Sequence, residues 1–155
     1  MNISRVHHVA ITAPRELLEK VRDFYVNVLE LYDGDRPKGV RPGHWLYAGE
    51  TPIVHLTLCD PGDPRLDGDH SNTGYFDHVS FACRGFQATV DRLKRLNVQF
   101  EYRTVPNWSP ITQIYLRDPA GTFLELTFHN ELPAEGNINK NLDNIHGKLA
   151  AARTS

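Results

Sequence analysis

An internal repeat governs how this chain can fold, because a supersecondary unit that occurs twice sets the architecture before any residue is weighed alone. In the first copy, RVHHVAIT reads as a strand from Val6 to Thr12, and Ala13-Pro14 signals a turn. RELLEKVRDFYVNVLEL then places Leu17, Leu18, Val21, Phe24, Tyr25, Val28 and Leu31 at helical spacing. The Gly/Pro/Asp-rich stretch YDGDRPKGVRPG holds a short strand and a loop, and HWLYAG and PIVHLTLC are two strands joined at Gly49 to Pro52. After CDPGDPRLDGDHSNTG, a linker with turn chemistry at nearly every step, the order restarts. YFDHVSFAC is a strand, and GFQATVDRLKRLNV is a helix with Phe86, Val90, Leu93 and Leu96 on one face. FEYRTV, TQIYLRD and TFLELTFH are strands, the last two joined by the turn Asp118-Pro119-Ala120-Gly121. The halves, about 5–59 and 75–129, align with an offset of 70, which predicts an α+β fold of two tandem βαβββ modules within a domain spanning 1–130. Residues 131–155 are polar and Asn-rich, with Leu142, Ile145 and Leu149 spaced for one or two short amphipathic turns, and are expected to be a tail or an arm that packs on a partner subunit.

Composition excludes several classes of function. With 155 residues, 40% of them hydrophobic, and a formal net charge of -2, the chain is expected to form one globular domain. It has neither a dense Lys/Arg run nor a basic stripe with interleaved aromatics, so nucleic acid is not an expected partner. No apolar run approaches the roughly 18 residues of a membrane helix, and MNISRVHH lacks the charged-then-apolar layout of a signal peptide, so no membrane partner and a cytoplasmic location are expected. Cys59 and Cys83 sit in apolar strand runs and read as free thiols.

The chemistry emerges when equivalent strands are set side by side. HHVAI from 7 to 11 lies against DHVSF from 77 to 81, which puts His8 on His78, each followed two residues later by a small residue, Ala10 or Ser80. VHLTL from 54 to 58 lies against LELTF from 124 to 128, which puts His55 on Glu125, each followed two residues later by threonine. Side chains alternate along a strand, so in all four strands these positions share the face opposite the bulky apolar residues. A lone strand histidine is ordinarily structural; four ligand-type positions paired by one offset point instead to a divalent metal. Imidazole and carboxylate together suit Fe(II), Mn, Ni, Zn or Co. His7, aligned with Asp77, is expected to point elsewhere, and His44, His70 and His129 are expected to be surface or loop residues.

These residues carry a resemblance. HHVAI, DFYVNVLEL, GHWLYAG with VHL, FDHVSF and QIYLRDPAGTFLEL are similar to the vicinal oxygen chelate superfamily, the group of glyoxalases, bleomycin-resistance proteins and extradiol dioxygenases, over residues 5–129. The resemblance implies an open mixed-sheet barrel around a metal, with His8, His78 and Glu125 as metal ligands, a small-molecule substrate and a homodimer. It also implies one of two roles for His55. In a glyoxalase-like lyase or isomerase the equivalent strand supplies a fourth metal ligand, which here is His55. In an extradiol dioxygenase a histidine near that strand is an acid/base group and a tyrosine ten residues before the Glu contacts substrate, which makes His55 and Tyr115 catalytic and Fe(II) the favoured ion. The ring-cleaving reading, on a catechol-like compound, is the leading expectation. The alternatives are the lyase or isomerase and a non-catalytic binder of a drug or metabolite. Specificity is expected from loops such as 33–44 and 60–75.

Overall fold

The computed structural model describes residues 2–38, 41–63, 76–105 and 110–133. The chain divides into two compact units, Met1–Asn72 and Thr73–Ser155, and each contains one βαβββ module. Module 1 comprises β1 (Val9–Ala13), α1 (Arg15–Asn27), β2 (Tyr32–Gly34), β3 (Gly43–Ala48) and β4 (Thr51–Leu58). Module 2 comprises β5 (Val79–Cys83), α2 (Phe86–Arg95), β6 (Glu101–Val105), β7 (Ile111–Arg117) and β8 (Phe123–His129). The expected amphipathic turns around Leu142 and the segment holding His70 lie outside the described residues.

Each module is a four-stranded mixed sheet, β1-β4-β3-β2 in the first and β5-β8-β7-β6 in the second. The first and last strands pair in parallel and the remaining pairs are antiparallel. A parallel pair needs a crossover, and the helix with its following hairpin supplies it. In module 1 the helix buries Leu18, Val21 and Tyr25, and the sheet buries Leu46, Val54 and Leu56. In module 2, α2 buries Phe86, Val90 and Leu93, and the sheet buries Ile114, Leu116, Leu124, Leu126 and Phe128. Each such side chain taken from water contributes roughly 1.5–3 kcal/mol. Phe86 meets Phe128 edge-on at 5.5 Å, which seats the start of α2 on the last strand. Leu96, expected on the apolar face of this helix, is 42% exposed. It follows Arg95, the last residue of α2, and is the helix C-cap, outside the helical spacing that buries Phe86, Val90 and Leu93.

Two local features set the sheets. Gly43 enters β3 at a φ of 153°, and a Cβ there would stand 1.9 Å from the Leu56 carbonyl oxygen, so only glycine lets β3 approach β4 at this point. In module 2 the turn closes as its sequence predicts: Gly121 N–H donates to the Asp118 carbonyl at 2.9 Å, and Thr122 N–H donates to the Asp118 carboxylate at 2.8 Å. Cys59 and Cys83 are both free thiols, and burial, with Glu131 nearby, pushes the Cys83 thiol up to about 11.

The cap of α2 comes from far along the chain. Gly85 holds the N-cap position at a φ of 84° and has no side chain to offer. The Glu131 carboxylate takes that place, accepting from Gly85 N–H at 2.9 Å and from Phe86 N–H at 2.6 Å. These bonds hold its carboxyl below the usual range, as expected of an anion at a helix N-terminus. Replacing Glu131 with alanine is expected to cost about 1 kcal/mol in chemical denaturation at pH 7. A folded pKa below the unfolded one gives stability that is complete above the ordinary value of 4.5 and lost as acid protonates the folded carboxylate. The difference between wild type and variant therefore shrinks in acid; a difference that does not change with pH would contradict the charged cap.

Candidate functional site

On the sheet face away from the helix, each module gathers the residues that the repeat pairs. In module 1 the register sets Ala10 and Trp45 on either side of His55. The small alanine leaves room for rings to stack across the strand. The His55 ring lies 3.9 Å from that of His8 at 14°, and 4.0 Å from that of Trp45 at 6°. His55 is thus the middle of a three-ring stack, and its Nε2 is buried with no hydrogen-bond partner. Burial first, then the neighbouring His8 and His7, holds the His55 imidazole below its usual pKa of 6.5, so the neutral ring prevails at pH 7. These rings line part of a cavity of about 330 Å3.

In module 2 the register sets Ser80 and Tyr115 on either side of Glu125. Ser80 Oγ and Thr127 Oγ1 donate to Glu125 Oε1 at 2.8 and 2.7 Å. Burial alone would raise the Glu125 pKa, but bonds from Thr127 and Ser80, with the Tyr115 hydroxyl and His78 nearby, outweigh it and hold the carboxyl below its ordinary value. Its other oxygen, Oε2, faces His78 Nε2 at 3.6 Å. On its far side His78 Nδ1 meets the Asp77 carboxylate at 2.6 Å. A carboxylate only accepts, so the Nδ1 proton lies toward Asp77 and Nε2 is left to face Oε2. Two lone pairs facing across 3.6 Å repel, and a cation between them, whether a proton or a metal ion, relieves that repulsion.

Tyr115 is buried and hydrogen-bonded, its hydroxyl donating to Gln113 Oε1 at 2.9 Å while Arg103 lies over its ring at 5.2 Å. Burial, with the Glu125 charge, pushes the phenol well above its usual range, so it stays a proton donor. Gln113 also accepts from Arg103 Nε at 2.8 Å. A substrate oxygen at this position would compete with Gln113 for the Tyr115 proton.

The sequence expectations meet the structure unevenly. His8 and His78 are each the residue immediately before a strand, since β1 begins at Val9 and β5 at Val79. His8 is brought onto His55, and His78 onto Glu125. Among the described residues, no group of three or more His, Cys, Asp or Glu stands together as a metal site. His7, expected to point elsewhere, meets His8 Nδ1 through its own Nδ1 at 2.9 Å, the counterpart of Asp77 on His78. His44 is not a surface residue: it is part-buried on the helix side of β3, with Nδ1 2.9 Å from Asp33 and Nε2 3.3 Å from Glu19 of α1. Trp45, which the sequence leaves open between cavity lining and a core or dimer contact, lines the cavity, and the offset that pairs His55 with Glu125 also carries it onto Tyr115.

With this geometry in view, comparison with known proteins is informative about the fold. No family model matches the sequence, and no curated protein matches it. Solved structures do. A glyoxalase/bleomycin resistance protein/dioxygenase domain from a Frankia species matches with a TM-score of 0.61 at 22% identity, over 84% of this chain and 95% of that one. The fold is that of the vicinal oxygen chelate proteins. The fosfomycin resistance protein FosX of Listeria monocytogenes matches with a TM-score of 0.58 at 16% identity, over 84% of this chain and 94% of that one. A lactoylglutathione lyase from Agrobacterium tumefaciens matches with a TM-score of 0.54 at 22% identity, over 83% of this chain and 96% of that one. These neighbours carry different chemistries on one fold, so what this chain does has to be argued from its own residues. No helix among the described residues is long and apolar enough to cross a membrane.

The hydroxyls on Glu125 generate a stability test. Thr127→Val keeps the shape and removes one donor from a buried carboxylate, an expected loss of about 1–3 kcal/mol in chemical denaturation. In a Glu125→Leu background the same substitution is expected to cost less, because no buried acceptor remains to be left unpaired. Equal costs in the two backgrounds would mean that the 2.7 Å contact is not energetically coupled.

Proposed function

We propose that the chain is a divalent-metal-dependent enzyme of extradiol ring-cleavage type that acts on a catechol-like small molecule, with His8, His78 and Glu125 holding the ion. The observation that carries the metal is the facing pair in module 2. Donors about 2.1 Å from a shared ion lie within about 4 Å of each other, and His78 Nε2 and Glu125 Oε2 are 3.6 Å apart. Their remaining atoms are already taken, Nδ1 by Asp77 and Oε1 by Ser80 and Thr127. Such outer partners fix the tautomer and orientation of metal ligands. The donor set of two imidazoles and one carboxylate fits Fe(II), and also Mn, Co, Ni or Zn.

When bound, the ion supplies Lewis-acid activation of the substrate's vicinal oxygens. The protein's own groups do the rest. His55 is neutral at pH 7 and its buried Nε2 has nothing to accept from, so it is equipped to take a proton from a substrate hydroxyl and return it later. Tyr115 stays protonated and offers a hydrogen bond to a substrate oxygen. Ring cleavage consumes one O2 for each ring opened.

A second reading follows from the same Nε2. As a fourth metal ligand it would turn the site toward proton transfer on a carbonyl or enediolate, the lyase or isomerase chemistry, with no O2 consumed. The two readings part on His55→Ala. Under ring cleavage this variant retains metal affinity and loses turnover by about 10²–10⁴-fold; under the second reading metal affinity falls too. The primary assay is O2 uptake by protein loaded anaerobically with Fe(II) and offered a panel of catechols, and no uptake with any of them would remove the ring-cleavage reading. Asp77→Ala is expected to weaken metal binding by about 10–100-fold, read by competition with a chromophoric chelator. Unchanged affinity would show that Asp77 does not orient His78.

A further inference from the structure

The loop between β2 and β3 brings two guanidinium groups, Arg36 and Arg41, to the module 1 cavity of about 330 Å3 that His8, Trp45, His55 and Thr57 also line. We propose that this cavity selects a substrate bearing a carboxylate on a planar ring, the carboxylate seated by Arg36 and Arg41 and the ring against Trp45 and His55. The inference rests on the reading above that His55 meets the substrate.

Charge is the first argument. Among the described residues that line the cavity there is no Asp or Glu, while Arg36 and Arg41 bring two cationic guanidinium groups to it. The chain as a whole carries a formal net charge of -2, so this positive lining is a local arrangement rather than a reflection of composition.

Placement is the second. Arg36 Nη1 donates to the Arg41 carbonyl at 3.0 Å, and Arg41 Nη2 donates to the Leu58 carbonyl at 2.8 Å at the end of β4. These bonds anchor the loop's cations to the strand that carries His55. Arg41 Nη2 also meets Asp60 at 3.0 Å, but that pair is 42% and 67% exposed, and exposed ion pairs of this kind contribute little. A guanidinium has five donors in a planar fork, and the contacts of Arg41 with Leu58 and Asp60 both run through Nη2, which leaves a geometry suited to grip a carboxylate.

The repeat is the third argument. Residues that the two modules share belong to the common design, whereas the offset of 70 carries Arg36 onto Pro106 and Arg41 onto Ile111. The arginines are additions to one module only, in a loop of the type that carries specificity. The wall beside them is a stack: Trp45 covers one face of His55 and His8 the other, so His55 meets a ligand ring edge-on, and the positive edge of one aromatic ring suits the face of another.

The test is equilibrium binding of benzoate and of its neutral isostere benzamide to the full-length protein by titration calorimetry, with no turnover involved. Benzoate is expected to bind about ten-fold or more tightly than benzamide, the effect of one charge-assisted hydrogen-bond pair. Arg36→Gln with Arg41→Gln is expected to bring the two ligands to parity, whereas Lys20→Gln, a charge removed from the exposed side of α1, leaves the preference intact. Arg41→Lys keeps the charge without the fork and is expected to retain part of the preference, which guards against a variant that has merely unfolded. Equal binding of the two probes, no saturable binding of benzoate, or a preference that survives the double substitution would each overturn the proposal. Absence of O2 uptake with catechols would remove the ring-cleavage reading while leaving an observed benzoate preference standing, so the two failures are separable.

Discussion

The parallel pairing of first strand to last strand in each module is the constraint on which the functional face depends. It sets Ala10 beside His55 and Ser80 beside Glu125. Because the side-chain period of a strand is two residues, a slip of one would move every one of these groups to the helix side and bring the apolar set to the other. Burial of Val54 and Leu56 in one module, and of Leu124, Leu126 and Phe128 in the other, forbids that slip. The hydrophobic faces therefore hold the polar ones in place.

The two modules spend this shared geometry differently. At the position where module 1 has a histidine stacked between rings, module 2 has a carboxylate held by hydroxyls. Module 1 keeps His55 neutral by burying it beside other imidazoles. Module 2 keeps Glu125 ionised because its hydrogen bonds outweigh the cost of burial. One backbone plan thus yields a proton acceptor on one sheet and an anion on the other, through the neighbours alone.

Much of this was legible in the sequence, and the reasons are physical. Period-two and period-3.6 patterns reflect burial directly, so the order of elements, the offset of 70 and the pairing of His8 with His78 and of His55 with Glu125 follow from the chain itself. What escaped depends on contacts between distant residues. The tie of His44 to Asp33 and Glu19 joins three elements, and no periodicity reports it. His7 looked redundant because strand alternation sends neighbours to opposite faces, yet it precedes β1, where alternation does not apply, and so reaches His8. A strand aromatic such as Trp45 reads from the sequence equally as cavity lining or as a core or dimer contact, and it is the register that sets it against His55. The arginines lie in a loop whose sequence signals only turns.

The Glu131 cap has a consequence for how module 2 comes into being. The first N–H groups of α2 find their partner about 45 residues later in the chain, beyond the end of β8. During synthesis the helix emerges with its N-terminus open, and it is closed only after the last strand has been made. Module 1, whose strands all precede that point, depends on no such late contact among its described residues. Module 2 therefore has an order of assembly written into it: the helix is provisional until the chain has passed the sheet it covers.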